Sequence, residues 1–578
     1  MKNDSSARRG TALLTIGLAA VGLIALVLAT ERSALMHGVR GQLWGLNALH
    51  YAEFEERLPA RRNRQIHIGV GPGELLPELA APTLNPVGGI YTSPVALSAS
   101  TQDTNAEIRC TLDGRIPTQR DHLARESMAV VQTTVVRCRS FSSGFQASPT
   151  TTHTYLIDPP GTLPILTLTL DPTHFDNKYT GIYAQYNERG PKWEREAHVE
   201  YLPRGYEKAL RVDGRVRIHG FHSRAQRKKS FRFHFKTPPD AANDPENPLT
   251  WPSHGDEHVV IFGARELQVS RDELFQEVFA EAGGFAGVNR PVLLHVNAQP
   301  WGIYWIRERI DEEYLHRRVG PGEYDLLYLQ PGKPEVRAGD PKHWEHTQQF
   351  FSANDLTSPD AYTRAAELID IDNFTTYWLY NIYAANRDWP HHNLYVFRRR
   401  DGVDGRWRWI SWDADAAFDF MNRGLQHDTL TWSTRAELRH DLRQGFEAGM
   451  RDTQEMQAST LIPRKLLANP DFRNRFASRM TELLKSDLSP DRVKNHLDRL
   501  HALLEPNLPL DWERWSIVES REQLAMKYTT DLAVVQNFIR ERPKVLEQLF
   551  APLVNNADPA GARGTTLRTS CAGCDQAH

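Results

Sequence analysis

Residues 386–415 read NRDWPHHNLYVFRRRDGVDGRWRWISWDAD, a stretch that folds on paper into a hairpin with polar groups gathered at its open end. Two apolar runs, 394–399 and 406–412, flank Asp401-Gly402-Val403-Asp404-Gly405, whose paired Asp-Gly steps are strong hairpin-turn chemistry. With the turn centred near Val403, Asn393 lies opposite Asp413, so an amide oxygen and a carboxylate meet at one end of the hairpin. Asp388 sits in the loop that feeds that same end. Hard oxygen donors suit magnesium, which keeps several waters and asks for few protein ligands. The same residues also suit a surface hairpin whose Asp and Asn flank turns, and the spacing alone leaves both readings open.

A length of 578 residues allows two or three domains. With 69 basic against 72 acidic residues, the net charge of -3 gives no pull toward nucleic acid or anionic lipid. The 14 tryptophans suit large buried cores, or stacking on sugars and nucleotides. Residues 11–30 are uncharged, rich in Leu, Ala and Val, and long enough to cross a bilayer as one helix. Lys2, Arg8 and Arg9 precede them, which places the N-terminus in the cytoplasm and the bulk of the chain outside it, periplasmic or extracellular. Glu31-Arg32-Ser33-Ala34 is a poor cleavage site, so residues 1–34 read as a single-pass anchor, with a cleaved signal as the alternative. Residues 35–84, mixed and charged, read as a stalk.

From 85 to 158 short alternating runs such as PVALSAS, AEIRCTL, TTVVRCRSF and THTYLID recur at the spacing of a small β-sandwich. The turn Thr111-Leu112-Asp113-Gly114-Arg115-Ile116-Pro117-Thr118 resembles the T-x-D-G-x-x-P-T turn of chitobiase C-terminal-like modules, with Cys110 where a tyrosine is usual. Such a module suits glycan contact. Cys110 and Cys138 fall in strand-like runs and can form a disulfide in an oxidising compartment, or remain two buried thiols. Cys571 and Cys574 form a lone C-x-x-C in the tail, 553–578, which reads as disordered.

Pro159-Pro160-Gly161 marks a boundary, and the chain from 162 to 552 reads as one α+β domain. Its β-rich first half contains RVRIHGFHSRAQRKKSFRFHFK; a helix follows over 269–283, then a hairpin formed by 292–297 and IYWIRE. Beyond it DNFTTYWLYNIYAANR reads as a helix capped by Asp372, with Phe374, Tyr377, Trp378 and Ile382 on its core face. Amphipathic helical stretches fill 455–551.

Four motifs in this order, RIHGFHSRAQRKKSFRF, SRDELFQEVFAEAGG, NAQPWGIYWIRERID and the NRDWPHHN…SWDAD pair, resemble those of the spore-coat-protein-H-like (CotH) kinases. Ala298 departs from the family pattern, standing where Gly is usual. The resemblance implies an atypical two-lobed protein-kinase-like domain, preceded here by the β-sandwich and the transmembrane helix. It implies transfer of the ATP γ-phosphate, with Mg or Mn, to a Ser/Thr hydroxyl of a cell-envelope protein. Asp388 would accept the hydroxyl proton, and Asn393, Asp413 and Asp415 would hold the metal. Lys228 would contact the nucleotide phosphates, with Arg217 adding a guanidinium and Gly220 and Ser223 allowing close approach. Glu308 would line the cleft and pair with the lysine. Adjacent strand residues face opposite ways, so only one of Lys228 and Lys229 can serve.

Two other readings remain. One is a non-catalytic envelope assembly or glycan-binding protein on the same fold, against which the full set of Lys, Asp, Asn and Asp argues. The other is a metal-dependent hydrolase with Asp388, Asp413, His391 and His392 as ligands.

Overall fold

The computed structural model describes residues 76–555, except 125–126, 206–208, 221, 237–257, 264–268, 330–333, 403, 437–456 and 517–518. The expected anchor at 11–30, the stalk up to residue 75, the tail beyond 555 and the Val403 turn centre lie outside the described residues. Among the described residues no helix is long and apolar enough to cross a membrane.

Seven strands close into a barrel in the order Arg195–Leu202, Leu210–His219, Ser230–Phe235, His258–Phe262, Gln299–Arg307, Asn289–Val296 and Ile165–Leu170. Neighbours are antiparallel except at the closing seam, where Ile165–Leu170 runs parallel to Asn289–Val296. Alternation builds this barrel: in Leu210–His219 the side chains of Val212, Val216 and Ile218 point inward while the residues between them are wetter. The inward set packs with Leu168, Phe231, Phe233, Ile261, Val292 and Tyr304 into a core of its own. The hairpin expected after the 269–283 helix closes through Asn297 and Ala298, whose φ values of 49° and 65° are the twist-matched turn conformation.

After the barrel a five-stranded sheet carries Phe285–Ala286, Arg408–Ser411, Leu394–Arg399, Tyr324–Leu329 and Glu335–Ala338, in that spatial order. Helices pack behind it, the Ile371–Ala384 helix among them. Phe374, Tyr377, Trp378 and Ile382 are buried, as their spacing predicts, but the N-cap is Asp370, whose side chain accepts from the Asn373 amide, not Asp372. The expected 269–283 helix spans Arg271–Glu281.

The N-terminal region is β-sandwich-like, a three-stranded sheet against a five-stranded one. Cys110 and Cys138 face each other across antiparallel strands and form a disulfide. The boundary at Pro159 does not leave this module loose. Fully buried Glu200 of the barrel accepts from the Thr154 amide at 2.7 Å and from Arg211 Nε at 3.0 Å, and Arg211 also donates to the Gly88 carbonyl. Burial alone would raise the Glu200 carboxyl, but His153, His198, the Thr154 amide and Arg211 hold it below the ordinary 4.5. A depressed carboxylate contributes stability that is complete above its unfolded value and is lost as pH falls toward the folded one. Glu200→Ala should therefore cost about 3–5 kcal/mol at pH 7, as expected for breaking a buried ion pair. In melting experiments the gap to the unaltered chain should hold down to about pH 5 and shrink below it; a gap that does not change with pH would exclude the charge as its source.

Candidate functional site

The hairpin forms as expected, with a different register. Tyr395 faces Ile410 and Phe397 faces Arg408, which puts position 412, not Asp413, across from Asn393. The second strand begins at Arg408 because Asp404 bonds Arg406 Nε at 2.7 Å and also holds Arg408, so 404–406 stays in the loop. The two polar residues still meet. Asn393 and Asp413 both take left-handed backbone, φ 61° and 54°, turning the chain at both strand ends toward one point. There Asn393 Nδ2 donates to Asp388 Oδ2 and to the Asp413 carbonyl, both at 3.2 Å, and its Oδ1 accepts from the Tyr328 hydroxyl at 3.2 Å. Asp388 is placed by the preceding helix end: Asn386 reaches back to Asn381 at 3.0 Å and accepts the Asp388 amide.

Carboxylates crowd this point. Burial raises the Asp413 carboxyl well above its ordinary range, and the charges of Asp415, Asp272 and Asp388 raise it further. Asp413 and Asp415 lie beyond the end of the strand at Ser411, so strand alternation does not relate them.

The cation that tempers this cluster is Arg307, not Lys228. Arg307 ends the Gln299–Arg307 strand, lies 3.6 Å above the Phe262 ring, and pairs with Asp272 Oδ2 at 2.8 Å and with Glu273. All three charged groups are buried. Asp272 Oδ1 in turn accepts the Ala414 amide at 2.8 Å, so one carboxylate ties the barrel and the Arg271–Glu281 helix to the 413–415 segment. The sequence motifs assign no role to Asp272, Arg307 or Tyr328; the available signal is a charged Arg closing the apolar run Ile303–Ile306.

Lys228 lies elsewhere. Its ammonium bonds Asp511 Oδ1 at 2.7 Å, in a helix that packs on the barrel, and the same oxygen accepts the Ile303 amide at 2.8 Å. Gly302 permits this approach: at φ 94°, a Cβ there would stand 2.4 Å from that oxygen. Lys229 goes the other way, to the carbonyls of Arg224 and Gln226, between Tyr183 and Tyr186. Glu308 pairs with Arg317 at 2.8 Å and Arg318 at 3.2 Å, so the expected Lys228–Glu308 pair is replaced on both sides. Gly220, φ 98°, lies against Ser223, whose Oγ a Cβ would meet at 2.1 Å.

Arg217 belongs to a basic group. Burial lowers the neighbouring His219 well below its ordinary value, and Arg232, Arg217, Arg224 and Arg309 lower it further. Arg337, Arg309 and Arg232 also act on Tyr395, whose ring lies 4.8 Å from that of Tyr328, the residue bonded to Asn393. The paired tyrosines thus lie between these arginines, Arg232 of the barrel among them, and Asn393.

The fold thus joins a barrel to a helical region, with Asp388, Asn393 and Asp413 gathered at one point beside them. The CotH kinase protein family model matches residues 216–546, more than half of the chain, and the protein belongs to that family. The chitobiase/beta-hexosaminidase C-terminal domain model matches residues 86–152, within the sandwich-like region. No curated protein matches the chain.

Proposed function

We propose that this chain is a membrane-anchored kinase that transfers the γ-phosphate of ATP to a serine or threonine hydroxyl of a cell-envelope protein. The observation that carries the reading is the crowding of Asp388, Asp413, Asp415 and Asp272 at the end of the hairpin, an excess of negative charge that a divalent cation would offset. Carboxylate and amide oxygens are the donors magnesium or manganese takes, so the residues fit the ion, with Asp413, Asn393 and Asp415 as its holders. Ligation through Asn393 Oδ1 requires the amide to turn over and give up its Tyr328 contact. When bound, the ion would neutralise charge on the transferring phosphoryl oxygens.

Asp388 takes the hydroxyl proton as the hydroxyl oxygen bonds to the γ-phosphorus and the bond to the bridging oxygen breaks, releasing ADP. Without the metal, Asn393 Nδ2 holds this carboxylate at 3.2 Å, and the turn of the amide onto the ion releases that oxygen to take the proton. Arg217, with Arg232 and Arg309, supplies guanidinium groups suited to phosphate oxygens. Lys228 remains a phosphate contact only if Asp511 releases it; its place in this structure is to fasten the Leu508–Trp515 helix to the barrel. Export is supported by the Cys110–Cys138 disulfide, which belongs to an oxidising compartment.

Thermal unfolding tests the nucleotide part directly. At about 100-fold excess over its Kd, ATP with Mg²⁺ should stabilise the chain by about 2.7 kcal/mol. ATP alone should stabilise it far less, and equal shifts with and without the metal would remove the carboxylate cluster from the site.

A further inference from the structure

The loop between Asp388 and Asn393 holds a second set of donors, of a different chemical kind. Asp388, His391 and His392 each place one ligand atom within 4.8 Å of the other two. His391 Nε2 stands 3.9 Å from Asp388 Oδ1, and the two imidazole rings are 4.4 Å apart between centroids. His391 is buried, while Asp388 and His392 are half-buried, so the set opens on one side. Two nitrogens and one carboxylate oxygen, with a fourth position left to water, form the donor set of an open zinc site. Tetrahedral bonds of 2.0–2.1 Å imply donor separations of roughly 3.3 Å, a contraction that side-chain rotation supplies. Imidazole nitrogen selects zinc and its transition-metal neighbours over magnesium, which prefers the oxygens of Asp413 and Asn393.

We infer that Asp388, His391 and His392 bind zinc, and that zinc there blocks phosphoryl transfer by occupying the carboxylate that must take the proton. The binding half stands on the donor geometry alone; the inhibitory half rests on the kinase reading. Zinc would thus act against the magnesium-supported reaction from an adjacent site.

Cobalt(II) is the probe, because a tetrahedral cobalt site absorbs in the visible and reports binding without any turnover. Added to the full chain in excess Mg²⁺, one equivalent should give the tetrahedral bands, and zinc should bleach them. His391→Gln and His392→Gln should each weaken cobalt binding by at least about 10-fold, since losing a ligand costs no less than losing a partner behind one. Absent bands, or bands that survive both substitutions, would overturn the site. The half-buried His392 keeps the test decisive where the buried His391→Gln variant fails to fold. One equivalent of zinc should abolish transfer from ATP in Mg²⁺; bands with undiminished transfer would overturn the block. Bands in a chain that transfers nothing under any condition would leave the zinc site standing and sink the kinase reading instead.

Discussion

Asp413→Ala and Asp388→Ala are expected to abolish measurable phosphoryl transfer while leaving the chain folded. For Asp388 the loss follows from proton transfer, which typically supplies 10²–10⁴-fold. For Asp413 it follows from the metal, because phosphoryl transfer is almost wholly positioning and charge stabilisation. Stability should separate the two from ordinary damage. The Asp413 carboxyl is held up by burial and by Asp415, Asp272 and Asp388, so in the metal-free chain its charge is a cost to folding. Asp413→Asn, which removes the charge and keeps the shape, should therefore melt no lower than the unaltered chain without metal, and should lose the stabilisation by Mg²⁺ and ATP. Transfer retained by both alanine variants, or a lower melting temperature for Asp413→Asn in the absence of metal, would contradict the placement.

The hairpin and its three polar residues were legible because turn chemistry and strand alternation are local. Their register was not, since it depends on Asp404 holding Arg406 and Arg408, and on Asp370 bonding Arg408 at 3.0 Å from a helix start. The lysine assignment met the same limit from further away. Lys228 and Asp511 are separated by 283 residues, and nothing near RAQRKKSF announces that a helix will bring a carboxylate to it. The barrel was legible as β-rich sequence, but its parallel closing seam joins Ile165–Leu170 to Asn289–Val296, a pairing no local pattern encodes. Local chemistry thus found Asp388, Asp413 and Asp415, and long-range pairing decided that Asp272 and Arg307 stand beside them.

That cation gives the second large effect. Arg307→Met should destabilise the chain by about 3–5 kcal/mol, because it leaves Asp272 and Glu273 as buried charges without their common partner. Burial already raises the Glu273 carboxyl, so without Arg307 this group would take up a proton or draw in water. A compensating change isolates the cause: Arg307→Met with Glu273→Gln and Asp272→Asn removes all three charges and should recover most of the loss, as neutral replacements of buried ion triads do. Transfer should not recover with it. The Asn side chain can still accept the Ala414 amide, so the 413–415 segment keeps its anchor, but Asp413 then lacks the guanidinium that tempers it while Asp415 and Asp388 still crowd it. A triple variant that regains both stability and transfer would reduce Arg307 to a packing residue. One that regains stability alone would place Arg307 and Asp272 in the electrostatics that set the metal end of the site.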